Sequence, residues 1–157
     1  MSLVGDIARA YVAPGKVMQM QLDRGIREPQ TLFYSMLFGA MNLIANFPRI
    51  AATAPDQDTL TGMMSGLFIG YIFFMPLMLY GLAAFIHWVI LKFGGQANWP
   101  EARRALSWSA VVTIPFVLLS GSIYNIYNNV LSEYLNAIIA VIFFWQLYTN
   151  FKKVEFY

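Results

Sequence analysis

Few residues in this 157-residue chain could do chemistry. His87 is the only histidine, so no bis-histidine haem site and no multi-histidine metal site can form within one chain. It could serve as a proton or ligand contact, or make an interfacial or interhelical hydrogen bond. Asn42 and Asn46 fall four apart in an apolar stretch, which puts both amides on one helical face. Such amides could hold helices together, at on the order of 1 kcal/mol or less each, or line a polar path. Asp56 and Asp58 precede a long hydrophobic run, where acidic groups favour a helix N-terminus and Asp58 or Thr59 can cap it. A cation-binding mouth would need more ligands than these two.

Other chemistries lack their residues. The absence of cysteine excludes disulfides, iron–sulfur ligation and thiolate zinc sites within this chain. The glycines are embedded in apolar sequence with no following Lys-Ser or Lys-Thr, so they form no phosphate loop. Met18, Met20, Met36, Met41, Met63, Met64, Met75 and Met78 lie mostly among apolar neighbours and read as packing. No catalytic, cofactor-binding or metal-binding constellation is expected, and no enzymatic activity. The formal charge of +2 is too small to point to nucleic acid.

The elements that hold these residues belong to a membrane protein. Hydrophobic residues make up 59% of the chain and charged ones 11%, against about 25% charged in soluble domains. The longest apolar run, 62–91, holds no Asp, Glu, Lys or Arg and would reach roughly 45 Å as a helix, longer than the hydrocarbon core. It therefore must tilt, kink or pass one interface. Gly62, Gly66 and Gly70 line one face and would admit another helix backbone. Pro76 predicts a kink further along.

The predicted fold is an all-α integral membrane protein, a four-span helical bundle with an N-terminal amphipathic interfacial helix. Residues 1–28 form a cytoplasmic amphipathic arm: Leu3, Val4, Ile7, Ala8, Tyr11 and Val12 share a stripe opposite Asp6 and Arg9, and Pro14 restarts a second, weaker stripe. The transmembrane bundle covers 29–151, with spans at about 29–47, 62–91, 102–121 and 134–151. Pro48 is expected to end the first span, and Ser35 and Gly39 to give it a packing face. Gly94 and Gly95 close a hairpin in which Asn98 and Glu101 resemble a capping box. In the third span Ala105, Ser109 and Thr113 make a small-residue ladder that could oppose the glycine ladder, and Pro115 predicts a second kink. A wet, aromatic turn or interfacial helix is expected over 122–133. Lys152 and Lys153 stop the last span, leaving 152–157 as a cytoplasmic tail.

Charge sets the expected topology. Arg9, Lys16, Arg24 and Arg27 at the N-terminus, Lys92, Arg103 and Arg104 at the hairpin, and Lys152 and Lys153 at the C-terminus hold nearly all the basic residues. With four spans these regions share one side, and the positive-inside rule makes it the cytoplasm, with both termini there.

Pro14-Gly15-Lys16-Val17, the Gly94-Gly95 hairpin and Pro115 resemble the bacterial branch of the Yip1-domain family, and the resemblance covers most of the chain. It implies a compact, non-enzymatic helical membrane protein, often with five spans where four are read here. Eukaryotic relatives are associated with Rab GTPases and vesicle traffic. Their acidic Asp-Leu-Tyr-Gly-Pro type motif is absent, so that role is not carried over. The expected function is a scaffold, accessory or assembly subunit of the bacterial inner membrane, acting through helix packing. Its partners would be the lipid bilayer and a protein partner or homo-oligomer. The alternative is a small-solute or ion transporter or channel with a polar path near Asn42, Asn46 and His87.

Overall fold

The computed structural model describes residues 2–124 and 129–156, and everything described is helix or short connection. Helix α1 (Leu3–Ala10) is capped by the Ser2 hydroxyl, which accepts from the Gly5 amide at 3.2 Å. Helix α2 (Pro14–Asp23) begins on the proline, whose missing N–H costs nothing in a first turn. Gly25, at φ +76°, then turns the chain in a conformation that a side chain would disfavour.

Helix α3 (Glu28–Thr53) starts with Pro29 in its first turn but does not end at Phe47 as the sequence suggested. It runs through Pro48 for more than a turn, to Ala54, whose amide bonds the Ile50 carbonyl at 3.1 Å. A proline deprives one carbonyl of its donor and can bend a helix without ending it. Helix α4 (Gln57–Ile69) is capped by Asp56, which accepts from the Thr59 amide at 2.7 Å. The cap is thus Asp56, while Asp58, expected as a cap, sits in the first turn.

A π-helical turn, Gly70–Phe74, joins α4 to α5 (Met75–Leu91). Pro76 lies in the first turn of α5, so the wide turn falls where the proline ring would crowd the preceding carbonyls. The hairpin then uses Gly94 at φ +89°, and the Asn98 amide donates to Glu101 Oε2 at 2.8 Å, one half of the expected capping box. Helix α6 runs Trp99–Tyr124 with Pro115 inside it, and α7 runs Asn129–Phe156. Lys152 and Lys153 do not end α7. The turn expected over 122–133 falls partly on 125–128, outside the described residues.

Among the described residues, three helical stretches are long and apolar enough to cross a membrane by length and composition: Gln57–Leu91, Trp99–Ile123 and Glu133–Phe156. Helix α3 has the length, but Gln30, Asn42, Asn46 and Pro48 lower its hydropathy, and it is not one of the three. Helix α6 is the centre of the fold. It packs on α3, α5 and α7 and touches α1, and 56% of its most apolar window is buried, against 17% for each of the other two spans.

The N-terminal helices, read from the sequence as an amphipathic interfacial arm, are also bonded to the bundle. The Tyr11 hydroxyl donates to the Val112 carbonyl of α6, the Tyr11 ring meets Phe116 edge-on at 5.6 Å, and Gln146 Nε2 of α7 donates to the Ala10 carbonyl at 2.8 Å. Val112 lies about 20 Å along α6 from Trp99 at the helical rise. The α1–α2 corner therefore reaches toward mid-bundle.

Candidate functional site

A buried polar cluster joins the C-terminal ends of α5 and α7. His87 Nδ1 lies 2.6 Å from Glu155 Oε1, with the two side chains 1% and 0% exposed. Glu155 Oε2 accepts from the Ala97 amide at 3.1 Å, and its backbone carbonyl accepts from the Gln96 amide at 3.0 Å. The Trp99 ring packs edge-on against His87 at 4.6 Å. Gly95 completes the knot, because a Cβ there would overlap Glu155 Oε2 and the Ile90 side chain. One carboxylate thus fastens α7 to α5 and to the hairpin that leads from α5 to α6. The interhelical hydrogen bond expected of His87 is present; its partner was missed, since Glu155 follows two lysines and reads as tail.

A second network sits at the start of α6. Arg104, buried, donates to the Arg27 carbonyl at 3.2 Å and to Gln30 Oε1 at 3.1 Å, with its guanidinium 4.9 Å from the Tyr34 ring centroid. Arg103 pairs with Glu28 at 2.9 Å and stands over Tyr80, whose hydroxyl donates to Glu28 Oε2 at 3.4 Å. These arginines hold α3, α5 and α6 together as well as marking one end of the bundle.

The expected packing residues divide into two groups. Ser35 and Ser107 hydroxyls bond across α3 and α6 at 2.8 Å. A Cβ at Gly39 would overlap the Tyr71 carbonyl, and one at Gly121 the Ala45 backbone. Ala105, Ser109 and Thr113 are fully buried on α6. The Ser109 hydroxyl donates to the Ala105 carbonyl at 2.7 Å and accepts from Asn150 Nδ2 of α7 at 2.9 Å. That ladder therefore meets α7 at Ser109, and the suggested pairing with Gly62, Gly66 and Gly70 is not made within the chain. A Cβ at any of those three glycines would meet nothing within 4 Å, and α4 has no buried residue.

Asn42 and Asn46 largely fold back on their own helix: their amide groups donate to the Phe38 carbonyl at 2.8 Å and the Asn42 carbonyl at 2.9 Å. Asn46 also reaches the Tyr71 hydroxyl at 3.4 Å. Both line a cleft of about 360 Å³ between α3, α6 and α7, together with Phe38, Arg49, Val117, Ser120, Glu133 and Asn136. The Ser120 hydroxyl donates to Asn136 Oδ1 at 2.9 Å across the cleft. His87 is not part of it, lying about 24 Å beyond Tyr71 along the same helical run. The structure thus gathers two of the three intramembrane polar candidates and separates the third. The further cleft residues come from three helices, so no spacing in the sequence could announce them.

Among the described residues outside the spans, Tyr11 and Asp56 have displaced acidities. Burial raises the Tyr11 phenol above its ordinary value. The Thr59 backbone amide lowers the Asp56 carboxyl. Compared with known proteins, residues 11–155 match the Yip1 domain. No curated protein and no solved structure matches significantly.

Proposed function

The chain belongs to the Yip1 domain family, and from that premise we propose that it is a non-enzymatic scaffold or assembly subunit, of the family's bacterial branch, that pairs with another membrane helix through the outer face of α4. The observation that carries this is a contrast between glycines. At Gly39, Gly95 and Gly121 another part of the chain comes so close that a Cβ would overlap it, whereas Gly62, Gly66 and Gly70 line one face with nothing within 4 Å. Glycine gains nothing against lipid tails and weakens a helix by roughly 1 kcal/mol relative to alanine. A covering helix, from a partner protein or a second copy, accounts for three in a row.

In this reading α3 is the fourth span, since its 26 residues reach about 39 Å. Four crossings keep the basic regions on one side, placing both termini in the cytoplasm and the chain in the bacterial inner membrane. The N-terminal helices present exposed Val4 and Val12 to lipid as the amphipathic element.

The test is native co-purification in mild detergent with mass spectrometry, alongside solute flux in liposomes. A stoichiometric partner or homo-oligomer lost in Gly66→Leu, with no flux, is the expected result. The cleft holding Asn42 and Asn46 supports transport as the second reading. Specific solute flux abolished by Asn42→Leu or Asn46→Leu would replace the scaffold with a transporter.

A further inference from the structure

We propose that the cleft between α3, α6 and α7 binds a zwitterionic headgroup carrying a phosphate and an amine, with the phosphate on Arg49 and Asn46 and the ammonium on Glu133. Arg49 lies four residues before the end of α3 and Glu133 four residues after the start of α7, so both stand one turn inside the same end of the bundle. That is the depth at which long charged side chains reach headgroups. Arg offers a phosphate two parallel N–H donors, and a carboxylate offers an ammonium its acceptors. A purely anionic headgroup would face Glu133, and a purely cationic one Arg49. One charge of each sign across one opening favours a ligand that is itself neutral overall.

The rest of the cleft fits a lipid entering from the side. Asn42 lies about 10 Å deeper than Arg49 along α3, and Phe38 and Val117 line the cleft with it, a surface for the start of an acyl chain. The close approach of α6 to the Ala45 backbone at Gly121 brings the two helices together at the cleft's back. Each asparagine amide can make up to four hydrogen bonds, and among the described residues Asn42 uses its side chain for one, to Phe38. A volume of about 360 Å³ lies in the range of small-ligand sites.

The test uses the full chain reconstituted in vesicles of equal parts phosphatidylethanolamine and phosphatidylglycerol, extracted gently, with retained lipid counted by native mass spectrometry. Phosphatidylethanolamine should be enriched about tenfold over phosphatidylglycerol, a difference of about 1.4 kcal/mol. Arg49→Gln and Glu133→Gln should each bring the ratio near one, and Glu133→Lys should favour phosphatidylglycerol, with helix content by circular dichroism unchanged in each. In a second arm, phosphoethanolamine is added to the detergent-solubilised chain. Displacement of the lipid assigns the affinity to the headgroup alone, and retention assigns it to headgroup and chain together. Equal retention of both lipids by the unmodified chain, or an enrichment that survives both neutralising variants, overturns the proposal.

Discussion

His87 and Glu155, 68 residues apart in sequence, meet at 2.6 Å with side chains 1% and 0% exposed. Each is expensive to bury alone, so removing either strands the other. Glu155→Ala should destabilise the protein by about 3 kcal/mol, at the upper end of the range for leaving buried hydrogen-bonding groups unpaired. His87→Ala should cost a similar amount, and the double variant clearly less than the sum. Reversible unfolding in detergent measures all three. Additive losses would show that the two side chains do not support each other.

Glycines that look alike in sequence should behave oppositely. Gly39→Ala and Gly121→Ala push a methyl group into backbone of another helix and should cost about 1–3 kcal/mol in the monomer. Gly66→Ala meets open space and removes a flexible residue from a helix, so monomer stability should stay level or rise slightly. Unfolding at high detergent-to-protein ratio, where association is suppressed, isolates the monomer term. A loss in Gly66→Ala equal to that in Gly39→Ala would place the α4 ladder inside the protomer.

Much of the fold was legible because lipid and helix geometry act through composition. Apolar runs, the Gly94–Gly95 hairpin and the Asn98–Glu101 cap all have local signatures. Centrality has none: the run 57–91 is the most hydrophobic span yet only 17% of its most apolar window is buried, whereas α6 is less hydrophobic and 56% buried. A bundle interior accepts Ser107, Ser109 and Thr113, which pair with other helices or their own backbone. The same reasoning explains Glu155, whose partner and amides come from residues far along the chain. Pro48 misled because a proline inside a long helix can remove one hydrogen bond or kink it without ending it.

Asp56 gives a pH dependence that can be read at one end of α4. Its carboxyl is held below the ordinary value chiefly by the Thr59 amide, so its capping contribution is complete above the unfolded carboxyl value, about 3.9. That contribution is lost as pH falls through the lower folded value. The Thr59 amide resonance should therefore shift with a midpoint below that of a free aspartate. Asp56→Asn keeps an acceptor and should abolish the titration while leaving the turn formed. A Thr59 midpoint at or above the free value contradicts the assignment of the cap.

The N-terminal helices are attached to α6 one residue past the carbonyl that Pro115 leaves without a helix donor. Pro115 has no N–H for the Val111 carbonyl and crowds the turn that includes Val112, whose carbonyl accepts the Tyr11 hydroxyl. Tyr11→Phe keeps the ring against Phe116 and removes only that donor, so it should cost about 1 kcal/mol. In a Pro115→Ala background the restored N–H serves the Val111 carbonyl and leaves the Val112 carbonyl to Tyr11, so the same substitution should cost about as much. Burial raises the Tyr11 phenol, so its contribution is complete below the unfolded value, about 10, and is lost as pH rises through the higher folded one. Protease cleavage at the α1–α2 corner should accordingly speed up in Tyr11→Phe and, for the unmodified chain, at alkaline pH. A clearly smaller cost of Tyr11→Phe in the Pro115→Ala background would contradict this independence of the attachment from the proline.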